Sequence, residues 1–424
     1  MQFFNVHSHV FNIRNAPKNF LSLFLPDVAA NLIDKLTNTD VGSTAFGFLL
    51  SKFGGNLGKR YASFLQVGKS RNQREIFETL RKQYDDPHLK IVALTMYMEK
   101  CGAGPSDTGY EGQLEGILEV KKENPDNLLV FLGIDPRWKS TGRELKETVE
   151  RYFENKIHVN AERSVYPFVG LKIYPSLGFY AFDEKLKETF EWAAEKGVPV
   201  LSHCSYLGGI YSNDTNHVNS SLNPLDVYSG QQYSVNFGPG TPPPVPDQSW
   251  NFFKWILGQT DNLRNLNTCS YFLEPASYRT LVDYFSKKEK PLKICLAHFG
   301  GEDHVLNEFN GNAAGPIVGM VQQNWCAQIK DLITKYPNVY TDIAYAVGNP
   351  KTHNAFLNDL SGPKLKSKMM FGTDFFMTER VLPEKDDYAT FKKTALARQV
   401  GTSNAWEIMA SQNVQAFLAS AYYP

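Results

Sequence analysis

The sequence predicts an α/β fold, a (β/α)8 TIM barrel, and three observations carry that reading. Short apolar runs bounded by turn residues recur eight times. Amphipathic helical stretches separate most of them. Several runs are almost continuously apolar rather than alternating, which suits parallel strands covered on both faces. Eight strands alternating with helices favour a closed barrel over an open sheet.

In chain order, the expected strands are Phe3–His7, Lys90–Met98, Leu128–Asp135, Phe168–Tyr174, Val198–Cys204, Leu292–His298, Val339–Ala344 and Lys368–Asp374. The second contains Ile91-Val92-Ala93-Leu94, with no polar residue to face water. Expected helices are Gly112–Glu123, Gly142–Lys156, Asp183–Lys196, Pro275–Lys288 and Val321–Tyr336, where charged and apolar residues alternate at three-to-four spacing. Their ends carry stop signals: Gly197 precedes Val198-Pro199-Val200, and Tyr336-Pro337-Asn338 precedes Val339.

Two stretches are too long for simple connections. About residues 10–89 form a Phe-, Leu- and Gly-rich insertion with helical patches at Asp27–Leu36 and Gln73–Tyr84. About residues 205–274 form a second, rich in Asn, Ser, Gly, Tyr and Pro. Both follow the C-terminal ends of expected strands, the rim where barrel enzymes keep their sites, so the second is expected to cover the mouth. The whole chain, 1–424, reads as one barrel domain with these two insertions on its C-terminal rim.

Composition narrows the function. With 44 Lys+Arg against 44 Asp+Glu the formal charge is zero, so nothing favours nucleic acid or an anionic membrane surface. No apolar run has the ~20 residues of a membrane helix, and the N-terminus lacks the basic and apolar regions of a signal peptide. The cysteines, Cys101, Cys204, Cys269, Cys295 and Cys326, are odd in number and never spaced CxxC, which fits a reducing cytoplasm. A small-molecule substrate is therefore expected, and a homo-oligomer is compatible with this composition.

The residues suited to chemistry stand at strand ends. Phe4-Asn5-Val6-His7-Ser8-His9 ends the first strand with two histidines on the same side by period-two geometry. Alone, such a pair is as consistent with rim histidines bonded to the backbone. However, His203 ends the fifth strand, His298 the sixth and Asp374 the eighth, and barrel strand ends converge on one mouth. Three imidazoles and a carboxylate make a set suited to Zn²⁺, with Mn²⁺ or Fe²⁺ compatible.

Together with GLKIYP at Gly170–Pro175, SHC at Ser202–Cys204, AHFGG at Ala297–Gly301 and FGTD at Phe371–Asp374, the HSH pair makes the chain resemble the amidohydrolase superfamily, particularly its aminocarboxymuconate-semialdehyde decarboxylase-like branch. The resemblance runs from His7 to Asp374. It implies that His7, His9, His203 and Asp374 hold a divalent metal, with one ion expected rather than two. It also implies that His298 acts in catalysis or binds a second ion. Asn5 departs from the pattern, because many relatives carry an acid there.

Lys172 has three readings: a carboxylated bridge between two ions, a cation anchoring an anionic substrate, or a structural ion pair. Arg137 can clamp a substrate carboxylate or pair with a neighbouring loop. Asp342 and Tyr345 near the end of the seventh strand can line the site, although a supporting role suits them better.

The expected reaction is metal-assisted hydrolysis of an amide, ester or lactone in a small molecule. A water made acidic at the ion would lose its proton to Asp374, while His298 polarises the scissile carbonyl. A different reaction class keeps the same residues: decarboxylation of an aromatic or unsaturated carboxylic acid, distinguished by CO2 release without incorporation of water. A third reading is a barrel retained only for binding, against which all five key positions are intact.

Overall fold

The computed structural model describes residues 1–17, 70, 72–102, 104–205, 224–233, 272–312, 323–375 and 383–424. The helical patch expected at Asp27–Leu36, and most of the expected covering segment 205–274, lie outside them.

Eight parallel strands form one sheet whose spatial order follows the chain. They are β1 (Phe4–Ser8), β2 (Lys90–Leu94), β3 (Leu128–Ile134), β4 (Gly170–Ile173), β5 (Val200–Ser202), β6 (Ile294–Leu296), β7 (Val339–Asp342) and β8 (Met369–Met370). The ring closes where the Val6 N–H donates to Phe371 O (3.1 Å), the Asp374 N–H to His7 O (2.8 Å) and the His9 N–H to Phe375 O (2.6 Å). Every residue of β3 is buried, as a strand with both faces covered requires.

The strands stop short of the apolar runs that announce them. Past β8, the Phe371 N–H, on the edge that faces β1, donates to Met409 O (3.0 Å) of the C-terminal segment instead of to a β1 carbonyl. The Asn5 side chain bridges this seam. Its Oδ1 accepts from the backbone N–H groups of Thr373 and His7 (3.2 Å each), and its Nδ2 donates to Thr373 Oγ1 (2.8 Å) and Tyr84 Oη (2.7 Å).

Ten α-helices of six residues or more surround the strands among the described residues: α1 (Gln73–Arg81), α2 (Gly109–Glu123), α3 (Gly142–Glu154), α4 (Glu184–Lys196), α5 (Arg279–Ser286), α6 (Glu302–Phe309), α7 (Trp325–Lys335), α8 (Pro350–Asp359), α9 (Glu384–Ala397) and α10 (Asn413–Leu418). Local chemistry fixes their ends. Thr141 and Glu144 form a reciprocal capping box at α3, and Gly197, in the left-handed region at φ 71, closes α4. The helix expected over Pro275–Lys288 divides into a 3-10 turn at Pro275–Tyr278 followed by α5. Helices α6, α8 and α9 are not singled out by periodicity. None of the described helices is long and apolar enough to cross a membrane.

One layer of core fills the space between strands and helices, and a second fills the barrel. Helix α10 closes the barrel floor: Phe417 is fully buried, 6.4 Å from the Phe131 ring and 5.1 Å from the Tyr340 ring. Removing that ring leaves a cavity which neighbouring strands cannot collapse to fill. Phe417→Ala should therefore lower unfolding free energy by about 3–5 kcal/mol. In denaturant titrations of metal-loaded protein, the midpoint should fall while the metal content of the folded fraction stays at wild-type level.

Candidate metal centre and active site

β1 delivers His7 and His9 to the C-terminal mouth on the same side, as the alternation predicts; their rings are 5.6 Å apart. Asp374 enters from the turn after β8, held at φ 65 by the hydrogen bond from its own N–H to His7 O. Its Oδ1 lies 3.2 Å from His9 Nε2 and 3.5 Å from His7 Nε2. The three side chains are buried, and one ligand atom from each falls within 4.8 Å of the others.

Tautomers decide what this group can hold. His7 Nδ1 meets the Asp342 carboxylate at 3.0 Å and His9 Nδ1 meets Leu94 O at 3.2 Å. Carboxylate and carbonyl oxygens only accept, so both Nδ1 atoms donate, which in a neutral ring leaves the Nε2 lone pair free. Burial pushes the His7 imidazole down to about 4, against the pull of Asp342, so it is neutral at ordinary pH. Burial also opposes ionisation of Asp374, yet the contact with His9 and the neighbouring histidines hold its carboxyl at about 2. The His7 Nε2 lone pair therefore faces a carboxylate oxygen with no proton from His7 between them. A divalent cation satisfies that arrangement, so the residues fit the metal centre that the sequence implies.

Of the four expected ligands, His203 stands apart from this triad. Its ring stacks on Tyr174 at 4.5 Å, and its Nδ1 lies 2.8 Å from His298 Nε2. Its Nε2 is buried without a hydrogen-bond partner. His298 Nδ1 meets Ala344 O at 3.1 Å, so His298 donates there and accepts from the Nδ1–H of His203. Burial lowers both imidazoles below the ordinary histidine range. His203 therefore keeps a free Nε2 lone pair, the atom a ligand would use.

A second cluster, His7, His298 and Asp342, is also close enough to hold an ion. Its carboxylate is already spent. Asp342 Oδ1 accepts from the His298 N–H (2.9 Å) and the Ala344 N–H (3.1 Å), while Oδ2 accepts from His7 Nδ1 (3.0 Å) and the Cys295 thiol (3.7 Å). Burial works against ionisation of Asp342, but His7 and His298 outweigh it and hold the carboxyl well below the usual range. Asp342 organises the site instead of binding an ion. Its mark in the sequence is Thr341-Asp342, two polar residues in an otherwise apolar run.

Lys172 projects from β4 into the same interior. Its Nζ is buried without a hydrogen-bond partner, 5.5 Å from the Tyr174 ring. Burial lowers its ammonium to about 8, partly offset by Asp342 and Asp374. The structural ion pair is thus absent.

Of the two readings of Arg137, a substrate clamp or a pairing within the chain, the geometry matches the second. Its Nε and Nη2 grip Asp135 at 2.8 and 2.5 Å, and Nη2 and Nη1 donate to Leu177 O (3.0 Å) and Lys100 O (3.2 Å). The fork is engaged by the chain itself, in a bidentate pair with a carboxylate two residues away. Arg137 fastens the rim and is not a free clamp.

Glycine sets the spacing behind His7. A Cβ on Gly372 would lie 2.8 Å from His7 Cβ and 3.2 Å from His7 N. Gly372→Ala should therefore displace His7, weakening Zn²⁺ affinity at least tenfold while costing about 1–3 kcal/mol of stability. Competition with a chelator measures the first and thermal unfolding the second.

An amidohydrolase family model matches residues 106–408, more than half of the chain. No curated protein matches by sequence. Among solved structures, the chain is similar to 5-carboxyvanillate decarboxylase from Novosphingobium aromaticivorans, complexed with manganese and 4-hydroxy-3-methoxy-5-nitrobenzoic acid (10% identity, 98% of this chain and 96% of that one covered, TM-score 0.48). It is also similar to 2,6-dihydroxybenzoate decarboxylase from Rhizobium (11% identity, 99% of both chains, TM-score 0.45). A probable 2-pyrone-4,6-dicarboxylic acid hydrolase from Acinetobacter baumannii, with citric acid bound, is similar too (11% identity, 99% of both chains, TM-score 0.46). The family match takes in His203, His298, Asp342 and Asp374, with His7 and His9 brought to them by barrel closure. This chain belongs to the amidohydrolase family.

Proposed function

We propose that the protein is a metal-dependent decarboxylase of a small aromatic or unsaturated carboxylic acid. The observation that carries this reading is Lys172: a buried ammonium without a hydrogen-bond partner, in a mouth also lined by Asp374 and His298. A carboxylate substrate supplies the anion that such a cation lacks. Leaving water for this interior costs the carboxylate its hydration, while neutral CO2 needs none, so burial favours breaking the carbon–carbon bond.

His7, His9 and Asp374 would hold the cation, with His203 as the fourth ligand; one ion is proposed because Asp342 has no acceptor capacity left. The donor set suits Zn²⁺, and Mn²⁺ is compatible. When bound, the cation supplies Lewis acidity toward substrate oxygens. Decarboxylation replaces the bond to the carboxylate with a C–H bond, so a proton must reach that carbon. Asp374 is placed to take a proton and return it there, and His298, an acceptor at Nε2, would receive a hydrogen bond from a substrate hydroxyl.

Hydrolysis of an amide, ester or lactone is the second reading. It is favoured by Asp374, whose carboxyl is held ionised at about 2 and can therefore act as a base toward water. The two separate cleanly in H2¹⁸O with metal-loaded protein and a panel of hydroxybenzoates, unsaturated diacids, lactones and esters. Release of CO2 without ¹⁸O in the product is expected. Entry of ¹⁸O without CO2 would establish hydrolysis, and neither event at full metal loading would overturn the enzyme reading for these substrate classes.

A further inference from the structure

Tyr345 is one of four non-glycine residues at positive φ among the described residues, and two of the others, His298 and Asp374, are in the site. Its backbone (φ 64, ψ −54) forms a γ-turn closed by the Ala346 N–H donating to Ala344 O at 2.7 Å. Such a turn is rare and strained for a side chain of this size. The same Ala344 carbonyl accepts from His298 Nδ1 (3.1 Å), and the Ala344 N–H is tied to Asp342 Oδ1 (3.1 Å).

We propose that Tyr345 is a positioning residue whose γ-turn sets the tautomers of both His298 and His203. Ala344 O, aimed by the turn, accepts only, so His298 carries its hydrogen on Nδ1 and leaves Nε2 as an acceptor. His203 must then carry its hydrogen on Nδ1 to meet that acceptor at 2.8 Å, which bares its Nε2. If the turn opened, His298 would be free to hold its hydrogen on Nε2 and donate it to His203 Nδ1. His203 would then carry Nε2–H, and its ligand atom would be blocked. A strained backbone just after β7 thus decides whether a histidine just after β5 can bind an ion. This rests on the metal-centre reading given above, but its first half is testable without metal.

The test uses the full chain labelled with ¹⁵N-histidine, chelator-treated and then titrated with Zn²⁺. In metal-free wild type, both His298 and His203 should show protonated Nδ1 and unprotonated Nε2, with signals assigned from His298→Asn and His203→Asn spectra. Tyr345→Gly deletes the ring but accepts positive φ without strain, so it should retain both signatures and bind Zn²⁺ within about threefold of wild type. Tyr345→Val cannot hold this conformation comfortably. It should shift both histidines toward Nε2–H and weaken Zn²⁺ at least tenfold. If Tyr345→Val does not fold, Tyr345→Ala takes its place, because it deletes the same ring as glycine and still resists the turn. An Nε2–H His298 in wild type overturns the relay. Unchanged tautomers in both the Val and Ala variants overturn the role of Tyr345. Expected tautomers in a wild type that fails to bind Zn²⁺ would instead overturn the metal reading, and with it the delivery of His203.

Discussion

Asp374→Asn should lower turnover by about 10²–10⁴-fold while leaving the fold intact. The substitution is nearly isosteric, and asparagine is among the residues that tolerate left-handed backbone, so the turn at φ 65 survives. What it loses is the charge. Asp374 Oδ1 is the oxygen facing both His7 Nε2 and His9 Nε2, and an amide there has neither a basic oxygen nor a full negative charge. Metal should be partly retained, since the histidines remain and the amide oxygen is a weak ligand. The decisive measurement is turnover at saturating substrate, normalised to metal content by elemental analysis. Wild-type turnover per bound metal would remove Asp374 from proton transfer. A loss of rate that merely follows loss of metal would make it a ligand only.

What was legible in the sequence, and what was not, follows from the range of the forces involved. The barrel was legible because burial on both faces writes itself into runs such as Ile91-Val92-Ala93-Leu94. The site was legible because HSH, SHC, AHFGG and FGTD each sit where a strand leaves the ladder. Strand length was not: the run ending in Asp374 supports only Met369–Met370 as β8, and the next N–H, that of Phe371, is taken by Met409 of the distant C-terminal segment. Partner choice was equally hidden. Arg137 has the same chemistry whether it meets a substrate or Asp135, and only the folded geometry decides. The positive φ of Tyr345 left no trace either, since tyrosine does not favour that region and tertiary bonds impose the conformation. Asn5 shows how a departure from family pattern can be absorbed. An amide can donate to Thr373 and Tyr84 while accepting from two backbone N–H groups, a combination that a carboxylate lacks.

Asp342→Asn is expected to impair the metal centre without touching a ligand. The Asn oxygen can still accept the N–H groups of His298 and Ala344, so the β7 scaffold should persist. The amide nitrogen then occupies the place of Oδ2, 3.0 Å from His7 Nδ1. Two donors cannot share that contact, so His7 must accept there and move its hydrogen to Nε2. That hydrogen points at Asp374, into the position a cation would take. Supporting residues of this kind typically change metal affinity 10–100-fold, and the wrong tautomer puts this variant at the upper end. Lys172 also loses one of the two carboxylates that favour its charged form, which should weaken carboxylate substrates further. A chelator competition with Zn²⁺ measures the affinity, and ¹⁵N-histidine spectra of the metal-free chain measure the His7 tautomer. Both are expected to change while circular dichroism stays at wild type. Unaltered affinity with His7 still protonated at Nδ1 would mean that the amide had turned its oxygen toward His7. The His298 and Ala344 N–H groups would then face the amide nitrogen, and a selective loss of their amide hydrogen-exchange protection would reveal that flip.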